Sequence, residues 1–234
     1  MIQLKDLATE KVTVISGPYG AGKTNVAVNL AMDIAKSGQI CRIADLDIVN
    51  PYFRSADNAK MLDAMGVQTM IPEFANTNVD IPSLPRFPVS PLGIGDDFDF
   101  SIIDVGGDDG AVALGMYNST IKTLDYDLYY VVNVYRPLIA DPKDALECMR
   151  EIEFSSGLRC TKLVNNSSLG VETTADDIVE SVEYAKECAA LCGIPLVAHT
   201  YSPAYAPDTL WKFAAAGYSG EPLFALSDIT KKLF

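Results

Sequence analysis

Apolar residues fall in two rhythms along this chain. Short, nearly unbroken runs at 12–16, 40–44, 67–71, 98–104, 128–134, 161–165 and 194–198 have the continuous apolar character of strands buried on both faces. Between them lie longer stretches with apolar positions three and four apart, at 25–36, 54–65, 110–124, 142–154 and 174–192, which predict helices. Gly38, Gly66 and Gly193 stop three of these, and Asp141 followed by Pro142 opens another. Residues 206–234 read as two further helical stretches around Gly217 and Gly220. Strand and helix in alternation predict an α/β fold: a mostly parallel, twisted sheet with helices on both faces, in three layers. The proline-rich span 81–91 suits neither a central strand nor a helix and reads as a surface loop or flap.

The first strand and first helix are joined by Gly17-Pro18-Tyr19-Gly20-Ala21-Gly22-Lys23-Thr24, which fits the phosphate-binding pattern G-x-x-x-x-G-K-[ST] at every required position. Phosphate oxygens need donors that cost little reorganisation, and Gly17, Gly20 and Gly22 let backbone N–H groups turn inward. Ala21 and Asn25 fall within the same turn and the start of the helix. Lys23 adds a charge for the β- and γ-phosphates, Thr24 a hydroxyl for Mg2+, and the helix directs its positive end at the same anion.

Two further stretches end at the strand termini where open α/β sheets place ligand chemistry. Residues 40–44 run into Asp45-Leu46-Asp47, whose carboxylates share one side by alternation, so that one can support a metal and the other orient a water. The run 98–104 ends in Asp104, with Gly107 three residues on; Asp104 is a candidate Mg2+ group and the Gly107 N–H a sensor of the γ-phosphate. Asp108 and Asp109 read as a cap for the helix 110–124.

Composition narrows the function. The chain has 234 residues, 49% of them hydrophobic, enough for one sizeable α/β core, and it reads as one phosphate-loop nucleotide-binding domain over 1–234. A net charge of −13 opposes a nucleic-acid backbone, and no Lys/Arg cluster offsets it, so no nucleic-acid partner is expected. The first residues lack a signal-peptide pattern and no apolar run is long enough to span a bilayer; a cytoplasmic protein is expected. Five cysteines without framework spacing suggest reduced thiols. Cys188 and Cys192 share a helix face, but Ala185, Ala189 and Leu191 continue that face, so packing is the favoured reading over metal or redox chemistry. The close at 229–234 is too short and weakly charged to favour a membrane helix over a packed one. His199 is the only histidine, which leaves no histidine metal cluster.

The order of the phosphate loop, Asn25 to Ala31, Asp45-Leu46-Asp47 and Ile102-Ile103-Asp104-Val105-Gly106-Gly107 resembles the MinD/ParA/CobQ/CobB branch of phosphate-loop ATPases, to which the nitrogenase iron protein is related. The resemblance implies ATP (and ADP) with Mg2+, a homodimer formed face to face with ATP, and a switch in affinity for a protein partner. Residue by residue, it implies Asp47 in water activation and Asp45 as its neighbouring switch carboxylate, with Lys23 completing the catalytic set and Thr24, Asp45 and Asp104 about the metal. It also implies adenine contacts by Asn165 and by the segment after the last strand, Thr200 to Pro203, including Ser202. Pro18 departs from the pattern, since a second lysine usually stands there and reaches the partner's nucleotide. Arg136 or Lys143 could substitute. The guanine-reading motifs N-K-x-D and T-K-x-D are absent, which favours ATP over GTP.

These readings lead to an ATP-hydrolysing nucleotide switch. Two alternatives stay open: an ATP-dependent synthetase or ligase acting on a small molecule, and a nucleotide-binding module with negligible turnover.

Overall fold

The computed structural model describes residues 4–46, 59–70 and 98–229. Its eight strands are β1 (Val12–Ser16), β2 (Cys41–Asp45), β3 (Gln68–Met70), β4 (Phe100–Asp104), β5 (Tyr126–Val132), β6 (Lys162–Asn165), β7 (Leu196–Tyr201) and β8 (Leu223–Ala225). They form one parallel sheet in the order β3-β2-β4-β1-β5-β6-β7-β8. The continuous apolar runs are explained by burial on both faces. Along β5, Tyr129 and Val131 join one core, while Leu128, Tyr130 and Val132 join the other.

The helices are α1 (Lys23–Lys36), α2 (Ala59–Ala64), α3 (Asp108–Gly115), α4 (Asn118–Ile121), α5 (Pro142–Ser156), α6 (Ala175–Cys192) and α7 (Ala206–Ala215). On one face α1 buries Val26, Leu30 and Ile34 against Ile15, Ile102 and Tyr129. On the other, α3 to α6 bury Leu114, Ile121, Ile152 and Ala185 against Val14, Ile103 and Tyr130. Helix α7 sits on α6, with Phe213 packed against Ile178 and Val182. Local chemistry sets the boundaries. Asp141 accepts a hydrogen bond from the Lys143 N–H ahead of Pro142, and Thr174 with Asp177 forms a reciprocal capping box at the start of α6.

Three expectations are corrected. The helix read at 110–124 is two short helices, because α3 ends where Gly115 meets α5: a Cβ there would lie 2.7 Å from the Ser155 carbonyl oxygen. That helix starts at Asp108, with Gly107 rather than an aspartate at the cap position. Among the described residues of the terminal stretch there is one helix, followed by β8 instead of a second helix. Phe224 is buried there, and β8 pairs His199, Thr200 and Tyr201 with Leu223, Phe224 and Ala225.

Asp47, the loop 81–91, the first residues of the helix read at 54–65, the last residue of the strand read at 67–71, and the tail beyond Ile229 lie outside the described residues. Among the described residues no helix is long and apolar enough to cross a membrane.

Candidate functional site

Strand β1 is central, flanked by β4 and β5, and the chain leaves its carboxyl end through Gly17 to Gly22 into α1. The sheet's order reverses here, since β2 and β3 lie to one side of β1 and β5 to β8 to the other. A cleft of ≈ 370 Å³ opens at this point, within the roughly 300–1,000 Å³ typical of small-molecule sites. Gly20, Ala21, Gly22, Lys23, Thr24 and Asn25 form its floor.

The glycines at the loop's ends are required by close packing. Gly17 has φ +153°, and a Cβ on it would stand 2.4 Å from the Val131 carbonyl oxygen of β5. Gly22 has φ +84°, and its Cβ would stand 2.2 Å from Nδ2 of Asn166. The loop is thus pressed between β5 and the turn after β6. Lys23 is buried, and its ammonium donates to the Pro18 carbonyl oxygen at 3.0 Å. Position 18, which carries no lysine, still serves the loop through its backbone oxygen. The first turn of α1 has no acidic side chain, so the positive helix end at the cleft is not offset locally.

Beyond the loop, the cleft extends to the ends of β5, β6 and β7, along Asn133, Arg136, Asn166, Ser167, Thr200 and Tyr201. Ser202 also lines it, and its hydroxyl caps the short 3-10 turn Pro203–Tyr205. Asn166 joins the two halves: Nδ2 donates to the Ala21 carbonyl at 2.7 Å and Oδ1 accepts from the Thr200 hydroxyl at 2.5 Å.

Asn165 is turned away from the cleft. Its Nδ2 donates to Ser181 Oγ at 2.8 Å and meets His199 Nδ1 at 2.9 Å, while its Oδ1 accepts from the Ser167 hydroxyl at 2.6 Å. Both amide hydrogens are spent, so His199 is the acceptor at Nδ1 and carries its proton on Nε2, which faces Glu221 Oε2 at 3.6 Å. Burial pushes the His199 pKa down, partly opposed by Glu221.

Asp45 and Asp104 are buried register partners on neighbouring strands, at the carboxyl ends of β2 and β4. Neither lines the cleft, whereas Thr24 and Gly107 do. A hydroxyl and two buried carboxylates are hard oxygen donors, the set that suits Mg2+ with phosphate ligands. Among the described residues there is no group of three or more His, Cys, Asp or Glu able to hold a metal without such help. Asn25 lines the cleft and also holds the C-terminal segment, accepting from the Ile229 N–H at 3.3 Å. Next to it, Asn29 exchanges hydrogen bonds with Ser227 in both directions, at 2.9 Å each.

Sequence reasoning left out Tyr19, Asn133, Asn166, Ser167, Tyr205, Leu226 and Asp228 from the site. Asn133 follows an apolar run much as Asn165 does, and that terminal position was the available signal. Leu226 and Asp228 carry no local signal, since they reach the cleft through pairing of β8.

The fold is the α/β architecture of phosphate-loop nucleotide-binding proteins. The chain resembles a nucleotide-binding protein from Archaeoglobus fulgidus solved in complex with ADP, at 14% identity and TM-score 0.52, covering 90% of this chain and 87% of that one. The cell division protein FtsY from Thermotoga maritima matches at 15% identity and TM-score 0.45, over 81% of this chain and 60% of that one. The chain therefore spans about 60% of that FtsY. No protein-family model and no curated protein matches the chain.

Proposed function

We propose that this protein binds ATP with Mg2+, hydrolyses it slowly, and uses the nucleotide state to switch its affinity for a protein partner. The observation that carries this reading is the cleft itself: a complete G-x-x-x-x-G-K-T loop at the reversal point of a parallel sheet, in a cleft that runs on to the ends of β5, β6 and β7.

In this reading Lys23 leaves the Pro18 carbonyl for the β- and γ-phosphates, and the loop N–H groups hold their oxygens. Thr24, Asp104 and Asp45 hold Mg2+, which neutralises phosphate charge when bound. Asp47 orients the attacking water, and Gly107 at the start of α3 reports the γ-phosphate to that helix. Thr200, Tyr201 and Ser202 face the base, and the absence of a guanine-reading motif favours adenine. A cytoplasmic location and a homodimer formed with ATP belong to the same proposal.

Calorimetric titration with Mg·ATP and Mg·ADP, followed by phosphate release from wild type, Lys23→Ala and Asp47→Asn, tests it. Micromolar binding lost in Lys23→Ala, with turnover lost in Asp47→Asn, is the expected result. Equal background turnover in all three would refute hydrolysis as the function. Sedimentation equilibrium with ADP and with a slowly hydrolysed ATP analogue then reads the switch, because a mass change restricted to the analogue is expected.

A further inference from the structure

We propose that Arg136 supplies, from within the same chain, the cation that acts on the terminal phosphates of a nucleotide in this cleft. The proposal rests on reading the cleft as a triphosphate-hydrolysing site.

Arg136 is exposed but held. Its Nε donates to the Gly20 carbonyl at 2.7 Å, at the crest of the phosphate loop. A Cβ on Gly20 would lie 3.1 Å from that Nε and 3.3 Å from Cζ, so the guanidinium rests directly on the loop backbone. This is its only hydrogen bond among the described residues, which leaves both Nη groups without a partner there. Among the described residues, Lys23 and Arg136 are the two basic ones lining the cleft. In a chain of net charge −13, bringing both to one phosphate loop favours a polyanion where the overall field opposes one.

The backbone that presents Arg136 is fixed on both sides. Asn133 Nδ2 donates to the Ser168 carbonyl at 3.0 Å, the Val134 N–H donates to Ser167 Oγ at 3.0 Å, and the Arg136 N–H closes a turn onto Asn133 at 3.0 Å. Pro137 then opens a 3-10 turn that buries Ile139. An arginine held by Nε on a rigid turn has lost much of its rotamer freedom before any ligand arrives, and its planar fork keeps Nη1 and Nη2 for phosphate oxygens.

In hydrolysis a water oxygen forms a bond to Pγ, the bond from Pγ to the bridging oxygen breaks, the bridging oxygen leaves with the diphosphate, and the water proton passes to the released phosphate or solvent. Negative charge grows on the bridging and leaving oxygens, where a guanidinium stabilises it.

The test uses the full chain with Arg136→Gln and Arg136→Lys. Mg·ADP binding is measured with and without aluminium fluoride, which mimics the phosphoryl group in transfer, and ATP hydrolysis is followed in a single turnover. Arg136→Gln should bind ADP within about 3-fold of wild type, lose the tightening by aluminium fluoride and hydrolyse ATP on the order of 100-fold more slowly; Arg136→Lys should recover part of the rate. Equal loss of ADP affinity and rate would show Arg136 to be only a prop for Gly20 and would overturn the proposal, as would an unchanged rate. If wild type binds no nucleotide, the reading of the cleft itself falls, which is a different outcome from a wild type that binds and hydrolyses while Arg136→Gln matches it.

Discussion

Asn166 ties the phosphate loop to the far wall of the cleft, donating to the Ala21 carbonyl at 2.7 Å while accepting from Thr200 at 2.5 Å. One buried amide thereby sets the distance between the part of the cleft that would hold phosphate and the part that would face a base in the proposed function. Truncating it leaves the Ala21 carbonyl and the Thr200 hydroxyl without that partner, at a cost of about 1–3 kcal/mol. Asn166→Ala is expected to weaken ADP binding by roughly 10-fold and to lower the thermal midpoint by several degrees, read by calorimetry and circular dichroism. Unchanged affinity would show that the two walls are held apart by other contacts.

The same amide makes Gly22 irreplaceable. Gly22→Ala puts a methyl group 2.2 Å from Asn166 Nδ2 and forces a side chain onto φ +84°. Nucleotide binding should fall below detection in this variant. Asn166→Ala in the same chain removes the clash but not the left-handed strain of about 1 kcal/mol, so the double variant should fold better than Gly22→Ala alone without regaining wild-type stability. Strict additivity of the two stability losses would argue against the contact.

Stability should also depend on His199. Burial lowers its pKa in the folded protein below the ordinary 6.5, with Glu221 opposing and Lys186 adding to the shift, while Asn165 requires the Nδ1 lone pair. The unfolded chain then binds the proton first, so the contribution is fully present above pH 6.5 and is lost as pH falls through that value towards the folded one. Urea unfolding of wild type and His199→Gln from pH 8 to pH 5 should give a stability gap that narrows on acidification. A gap independent of pH would sink the assignment.

Four of the five thiols should be inert. Burial pushes Cys41 and Cys188 up to about 12 and Cys192 up to about 11, and raises Cys160 further. With so little thiolate present, Cys41, Cys160, Cys188 and Cys192 should react slowly with a thiol-specific disulfide reagent in the native protein at pH 8, and all five cysteines should react once urea is added. Rapid labelling of one of these four in the native state would mark an environment unlike the one described.

The phosphate loop, the strand before it and the helix after it were legible in the residues because each depends on short-range chemistry: glycines that admit the turn, a β-branched run, and apolar spacing of three and four. The cap of α5 was legible for the same reason, since Asp141 bonds a residue only two positions away, whereas Thr174 reads as the first residue of a helix and is in fact the cap before it. Sheet class followed from the alternation of elements, and β8 did not, because three residues are too few to show a period and its identity comes from pairing with β7. Adjacent asparagines at the end of β6 show the limit most clearly. Alternation puts Asn165 and Asn166 on opposite sides, but only the register of β6 between β5 and β7 decides that Asn165 meets His199 and Asn166 meets Ala21. Arg136 likewise is 116 positions from Gly20, and that contact follows from β1 and β5 being neighbours. The sequence by itself determined the strand, glycine-rich turn and helix around residues 12–36 and the alternation of layers. Tertiary structure alone decided which distant side chains reach it, because those contacts depend on strand order and register, and neither is encoded in any local stretch.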